Sequence, residues 1–153
     1  MTANIVAPDE IYDISADIFS PNALGAIIND DTIERFKFEI IAGGANNQLE
    51  DEAKHGKMLM DKGILYAPDY VINAGGLINV YNEFGGYRQE RALKQAEGIY
   101  DTVKQIISIS QQEKIPAHVA SNKIAEERIK QYARIKRYYT GKSEYSGRLG
   151  EWA

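Results

Sequence analysis

Short apolar runs bounded by turn-forming residues organise the first half of the chain. Three of them occupy residues 16–19, 38–42 and 64–66, and each is followed within two residues by glycine or proline. None alternates strictly between apolar and polar positions, which is typical of strands covered on both faces of a sheet. The pattern therefore predicts three buried strands.

Helical stretches separate these runs. Asn29 or Asp30 is expected to cap a helix after the first run, because the side-chain oxygen of such a residue accepts hydrogen bonds from the first helical turn. A second helix is predicted over residues 50–62, with acidic residues at its start and Gly63 just beyond its end. Strands that alternate with helices predict an α/β fold, in which crossover helices join parallel strands.

The second half of the chain is predicted to be helical. Apolar residues from Ala92 to Ile106 recur every three or four positions and indicate a helix over residues 88–111. After a proline, a last helix is predicted over residues 121–136. The apolar stripes of both helices are interpreted as packing surfaces.

Composition narrows the classes of function. The chain has 153 residues, of which 44% are hydrophobic and 26% charged, and this is ordinary for one soluble globular domain. No apolar run approaches the roughly 20 residues of a membrane span. The absence of cysteine and the presence of only two histidines exclude thiol chemistry and a three-histidine zinc site. We expect a cytoplasmic protein without a metal.

Charge is distributed unevenly along the chain. Residues 1–63 contain 12 acidic and 5 basic residues, whereas residues 128–153 contain 7 basic and 2 acidic residues, interleaved with aromatic side chains. A C-terminal segment that is basic and aromatic can bind nucleic acid through phosphate contacts and stacking, or it can pack on another domain or subunit. The basic residues are scattered and no nucleic-acid motif accompanies them, so packing is the favoured interpretation.

Three segments that follow the predicted strands are candidates for ligand binding, because ligands of open parallel sheets bind beyond the carboxyl ends of the strands. In residues 20–26, small residues including Ala23 leave room for a flat ligand, although an ordinary turn explains them equally well. In residues 43–49, the amides of Asn46, Asn47 and Gln48 suit ribose hydroxyls or a carboxamide. The alternative is that Asn46 or Asn47 only caps a helix.

The third segment, residues 67–80, contains a Gly75-Gly76 pair that opens a predicted helix. Two glycines there cost about 1–2 kcal/mol relative to two alanines, which suggests close packing or a ligand. Asn73 is expected at the cap of this helix. Leu77 and Val80 lie on one face and are expected to line an apolar pocket.

Several familiar arrangements are missing from the chain. There is no G-x-G-x-x-G loop to hold a pyrophosphate. No catalytic lysine can be placed beside a carboxylate and no serine–histidine–aspartate set is apparent, so no catalytic residue is assigned. His55 is expected on a solvated helix face and His118 in a loop.

At the three candidate segments the chain resembles the leucine dehydrogenases of the glutamate/leucine/phenylalanine/valine dehydrogenase family. The strings that carry the resemblance are DIFSPNALGAIIND, IIAGGANNQLEDEAKHG and YAPDYVINAGGLINVYNEFGGYRQERALKQAEGIYDT, and it continues to about Gln131. The resemblance implies the second half of a doubly wound, Rossmann-like parallel sheet followed by C-terminal helices. It also implies that the catalytic lysine and the glycine-rich loop of the family are absent, so that the chain alone is inactive.

The resemblance further implies a cofactor, a reaction and a set of site residues. The cofactor is NAD, and the reaction is oxidative deamination of a branched aliphatic L-amino acid to a 2-oxo acid. Ala23, Ala45 and Asn46 would lie along the nicotinamide ribose, and Asn73 would hold the nicotinamide or substrate end. Two further residues, Leu77 and Val80, would shape the pocket for the amino acid side chain.

We expect three parts: residues 1–86 as the second half of the NAD-binding domain, 87–137 as a helical segment, and 138–153 as a basic and aromatic tail. The missing catalytic domain, or other copies of the chain in a homo-oligomer, would complete the site. The alternative function is a non-catalytic assembly module. The run at residues 16–19 would then be an unpaired sheet edge through which copies associate.

Overall fold

A three-stranded parallel sheet forms the centre of the computed structural model, which describes the backbone of residues 3–138 and the side chains of residues 3–134. The strands are β1 (Ile18–Phe19), β2 (Ile40–Ile41) and β3 (Leu65–Tyr66), in that order across the sheet. Ile18 pairs with Ile40, and Ile40 pairs with Leu65. The predicted α/β fold and its parallel strands are confirmed, although each strand is shorter than its apolar run.

Six α-helices and a short 3-10 helix at Glu10–Asp13 accompany the sheet in the described part of the chain. They are α1 (Asp30–Ile33), α2 (Glu52–Asp61), α3 (Asp69–Ile72), α4 (Gly75–Glu83), α5 (Gln89–Glu113) and α6 (Ala117–Tyr138). The predicted last helix begins four residues too late, because residues 117–120 already form its first turn. None of the helices in the described residues is long and apolar enough to cross a membrane.

The core lies where α1 and α2 cover the sheet. Its buried members are Phe19, Ile28, Ile33, Phe38, Ile41, Leu59, Ile64 and Tyr66. Within it, the rings of Phe19 and Phe38 stack with their centroids 4.8 Å apart. Apolar residues of the strands thus pack against helices that follow them in sequence, as a βαβ arrangement requires.

Polar caps fix the starts of the two crossover helices. Asn29 accepts hydrogen bonds from the backbone of Asp31 and Thr32, and the Thr32 hydroxyl accepts from the Asn29 N–H, so α1 begins with a complete capping box. The prediction of a cap at this position is confirmed. For α2 the cap is Asp51, which accepts from the Lys54 N–H at 2.9 Å. The alternative that Asn46 or Asn47 caps this helix is therefore wrong.

Both histidines differ from their predicted environments. His55 is 1% exposed; its Nδ1 accepts from the Asp51 N–H at 2.9 Å, and its Nε2 lies 3.2 Å from Asp30 Oδ1. Since Nδ1 is an acceptor here, the proton of the neutral ring is on Nε2, which donates to Asp30. His118 lies in α6 and not in a loop; it is buried and packs against Gly56.

Asn82 joins two of the later helices. Its side chain is fully buried on α4, and its amide donates to Gln95 Oε1 of α5 at 2.6 Å. The Arg91 guanidinium in turn donates to Asn82 Oδ1 and, at 3.3 Å, to its backbone carbonyl. A satisfied polar network therefore holds α4 and α5 together.

The chain divides into two compact units after Ser121, within α6. Apart from the part of α6 after Ser121, the elements and contacts described above belong to the first unit. In the second unit, Glu126 and Lys130 form an ion pair one turn apart on α6, with 3.4 Å between Oε2 and Nζ. The basic and aromatic tail at residues 138–153 lies almost wholly outside the described residues, which end at residue 138.

Two exposed ion pairs make stability depend on pH. Arg35 donates to Asp13 Oδ2 at 2.7 Å and thereby lowers the pKa of that carboxyl, and Lys54 and then His55 lower the pKa of Asp30. A carboxyl with a lowered folded-state pKa stabilises the fold above its unfolded pKa, and this contribution is lost as pH falls through the folded value. We expect the thermal midpoint to fall on acidification below about pH 4.

A double variant, Asp13→Asn with Asp30→Asn, tests this pH dependence by thermal melts monitored by circular dichroism. The variant should lose less stability between neutral and acidic pH than the parent chain. An unchanged slope would show that other carboxyls dominate acid unfolding.

Candidate functional site

The three candidate segments meet at the carboxyl edge of the sheet. Pro21 follows β1, and its carbonyl accepts the Ala45 N–H at 3.0 Å. Gly43 follows β2 and lies so close to Pro21 that an added Cβ would sit 2.1 Å from the Pro21 carbonyl oxygen. Only glycine fits at this position, and its close approach brings the first and second segments into contact.

Asn22 strengthens this contact. Its Oδ1 accepts the Gly44 N–H at 2.9 Å, while its amide donates back to the Ser20 carbonyl at 2.9 Å. Farther along, the Ala26 N–H donates to the Asn47 carbonyl at 2.7 Å. Residues 20–26 and 43–47 therefore form one continuous polar rim.

A pair of asparagine side chains joins the second segment to the third. Asn73 Nδ2 donates to Asn46 Oδ1 at 2.6 Å and to the Gly44 carbonyl at 3.3 Å. Asn73 is the C-cap of α3, not the cap of α4 that the sequence suggested, because Ala74 separates it from α4. Its amide still reaches the rim, since α3 starts at the carboxyl end of β3.

This pair retains hydrogen-bonding capacity. Both amide protons of Asn73 are used, which leaves its Oδ1 as an acceptor without a partner among the described residues. The Asn46 Oδ1 is used in the same bond, which leaves its Nδ2 as a donor without a described partner. The two side chains can therefore offer an uncharged ligand one acceptor and one donor group.

Behind the rim, two buried polar residues lie among the loops. Gln48 is fully buried, and its Nε2 donates to the carbonyls of Gly43 and Ala45 at 2.7 and 2.9 Å. Asp69 is 6% exposed and accepts from the Gln48 N–H at 2.9 Å and from the Tyr70 N–H at 2.6 Å. The expectation that the Gln48 amide meets a ligand is wrong, because its donors serve the loop itself.

The other predicted site residues differ in accessibility. Ala23 is exposed, whereas Ala45 is buried with its N–H and its carbonyl both hydrogen-bonded. Leu77 and Val80 lie on α4 and are 75% and 51% exposed. The described residues thus place these two side chains on one open helix face but do not enclose them in a pocket.

Two tyrosines near this edge are held in the neutral form. Burial raises the pKa of Tyr66 well above its ordinary value, and burial likewise raises the pKa of Tyr70, against the effect of a hydrogen bond to Ser121. Neither hydroxyl is therefore a base near neutral pH.

Sequence reasoning singled out the three segments and, separately, Asn46 and Asn73, but it did not predict the bond between these two residues, and it missed Asn22 and Asp69. Asp69 follows Pro68 at the start of a helix, where an acidic residue is common and carries no special signal. Asn22 is an ordinary turn residue in sequence. Their importance appears only when the loops are seen together.

Comparisons with known proteins agree with this arrangement. The sequence model of the Glutamate/Leucine/Phenylalanine/Valine dehydrogenase family matches residues 1–137. Leucine dehydrogenase from Thermoactinomyces intermedius is 59% identical over 127 residues, which are 83% of this chain and 34% of that enzyme. Leucine dehydrogenase from Bacillus subtilis (strain 168) is 54% identical over 132 residues, which are 86% of this chain and 36% of that enzyme.

A solved structure shows the same fold. The crystal structure of L-tryptophan dehydrogenase from Nostoc punctiforme superposes with a TM-score of 0.84 at 53% identity, covering 86% of this chain and 39% of that one. The chain spans about a third of the length of the curated relatives it matches. On the match of nearly its whole described length, the chain belongs to the Glutamate/Leucine/Phenylalanine/Valine dehydrogenase family.

Proposed function

We propose that the chain is the nicotinamide-side part of an NAD-dependent amino acid dehydrogenase that deaminates a branched aliphatic L-amino acid. The observation that carries the proposal is the Asn46–Asn73 pair at the carboxyl edge of the sheet, with a 2.6 Å bond between the side chains. A carboxamide needs one donor for its oxygen and one acceptor for its N–H groups. Asn46 Nδ2 and Asn73 Oδ1 are the complementary pair.

The residues present fit the nicotinamide end of NAD. The cofactor would accept hydride from the amino acid when bound. Ala23 and the backbone around Ala45 would lie along the nicotinamide ribose, and Asn46 and Asn73 would orient the nicotinamide or the adjacent substrate. The small, uncharged rim suits the flat carboxamide group of the nicotinamide, because that group is polar without being charged and no charged side chain belongs to the pair.

The proposed substrate follows from α4. Leu77 and Val80 would contact the amino acid side chain, and two apolar residues favour an aliphatic or aromatic group over a charged one. Relatives are named as leucine, tryptophan and phenylalanine dehydrogenases, so both aliphatic and aromatic amino acids are candidate substrates. We favour a branched aliphatic substrate because both residues are aliphatic.

The remaining parts of the proposal concern organisation. Residues 1–86 would be the cofactor-binding half-domain, 87–137 the helices that return to the catalytic domain, and 138–153 a tail that packs on protein, not nucleic acid. The catalytic domain, in a cytoplasmic oligomer, would supply the missing acid–base chemistry.

Titration followed by NMR tests the proposal. Nicotinamide mononucleotide, which carries only the nicotinamide half of NAD, is added to the ¹⁵N-labelled chain. We expect weak binding, roughly millimolar, because a half-site forms few contacts. The shifts should concentrate at Ala23, Asn46 and Asn73. Adenosine monophosphate is the matched control, and it should leave these signals unchanged.

If nicotinamide mononucleotide well above the expected millimolar affinity leaves the spectrum unchanged, the proposed function is contradicted. That result would favour the second candidate, an assembly module. The observation behind that candidate is β1, which lies at one end of the sheet order and exposes 57% of Ile18. Sedimentation of the same sample would then show dimers or larger species that form through this edge.

A further inference from the structure

We infer that Gln48 and Asp69 are positioning residues that hold the Asn46–Asn73 pair ready for its ligand. The inference rests on the proposed function, because the residues that Gln48 and Asp69 position are the ones proposed to bind the nicotinamide. Neither residue is accessible, since Gln48 is fully buried and Asp69 is 6% exposed. They can therefore affect a ligand only indirectly, by positioning the residues to which they are hydrogen-bonded.

Gln48 fixes the shape of the loop after β2. Its amide bridges the carbonyls of Gly43 and Ala45, which flank Gly44. The Gly44 carbonyl is one of the two acceptors of the Asn73 amide. The same loop carries Asn47 in the left-handed region, at a φ of 53°, a conformation that asparagine adopts more readily than most residues other than glycine. The Gln48 bridge restrains the part of the loop on either side of Gly44.

Asp69 fixes the loop relative to α3. Its Oδ2 accepts the Gln48 N–H, 21 positions earlier in the chain, while its Oδ1 accepts the Tyr70 N–H in the first turn of α3. Its own carbonyl accepts the Asn73 N–H at 2.9 Å. One carboxylate thus joins the two elements across which the Asn46–Asn73 bond forms.

The orientation of the Gln48 amide follows from these contacts. Two carbonyl oxygens surround Nε2, so the opposite orientation would place oxygen against oxygen. The Oε1 is left buried without a partner among the described residues. An unsatisfied buried oxygen is unfavourable, so the two bonds donated by Nε2 are made at a cost to the other end of the same amide.

Gln48→Met is the first test, because methionine keeps the length and burial of the side chain but cannot donate to the two carbonyls. The readout is the side-chain NH₂ signals of Asn46 and Asn73 in the ligand-free ¹⁵N-labelled chain. In the variant they should move toward the signals of exposed Asn79. The affinity for nicotinamide mononucleotide should fall roughly tenfold if one-tenth of the molecules keep the competent loop.

Gln105→Met is the matched control, since Gln105 is exposed on α5, and it should leave both signals in place. Asp69→Asn is the second variant. Asparagine offers one side-chain oxygen in place of two, so one of the two accepted N–H bonds must be lost. A folded Gln48→Met or Asp69→Asn chain with unchanged Asn46 and Asn73 signals would overturn the inference.

The unaltered chain provides a test that does not depend on the folding of a variant. The backbone amide of Gln48 should exchange with solvent far more slowly than an amide of an open loop, because it is buried and bonded to Asp69. Exchange of the Gln48 amide at an open-loop rate would overturn the inference. Failure to bind nicotinamide mononucleotide would count against the proposed function and leave the ligand-free results standing.

Discussion

Gly43→Ala should destabilise the chain by about 3 kcal/mol or more and lower its thermal midpoint by roughly 10 °C. The added Cβ would lie 2.1 Å from the Pro21 carbonyl oxygen and 2.4 Å from the Pro21 nitrogen. Both are backbone atoms, so no side-chain rotation relieves the clash. The two loops would have to separate, and the Ala45-to-Pro21 hydrogen bond would be lost with them.

Gly98→Ala is the control for this change. An added Cβ at Gly98 meets no atom within 4 Å, and the residue lies inside α5. Alanine there should raise stability by about 0.5–1 kcal/mol, because it favours the helix over the unfolded chain. Chemical denaturation of both variants checks the opposite signs. A Gly43→Ala chain as stable as the parent would show that the two loops are not in contact.

Features fixed by neighbouring residues were predictable from sequence. The cap at Asn29 depends on Thr32, three residues away, and its pattern is visible in the chain. The three strands and the helices between them follow from short apolar runs and their spacing. Parallel pairing then follows because crossover helices leave few other arrangements.

Features fixed by distant residues were not predictable. In sequence, Gln48 is one of three adjacent amide residues, and nothing distinguishes it until Asp69, 21 positions later, is placed against its N–H. His55 is a different case, because its spacing of four from Leu59 is a local signal that places both residues on the buried face of α2. The expectation of a solvated face is wrong because it gave more weight to the charged residues beside His55 than to this spacing.

The substrate side of the site is the least predictable part. Leu77 and Val80 could be placed on one face of α4 from their spacing, and α4 opens with Gly75 and Gly76 as expected. Whether that face meets a substrate depends on what covers it. The chain spans only about a third of its relatives' length. Residues outside this sequence that would cover α4 cannot be predicted from it.

Asn73→Ala should reduce kcat/KM for leucine about 100-fold in a chimera that carries this chain, the scale of losing one preorganised hydrogen-bonding group from an active site. In the chimera, the matching 127 residues replace their counterpart in the Thermoactinomyces intermedius leucine dehydrogenase, at 59% identity. The loss is large because Asn73 has two roles. Its oxygen would meet the ligand, while its amide holds Asn46 and the Gly44 carbonyl.

Asn79→Ala is the matched control, because Asn79 is exposed on α4, and it should change kcat/KM by no more than about twofold. Steady-state assays that follow NADH formation give both values. Full activity in the Asn73→Ala chimera would remove Asn73 from the site, whereas a folded but inactive parent chimera would contradict the proposed function itself. If Asn73→Ala raises KM and leaves kcat unchanged, Asn73 binds the ground state and the transition state equally.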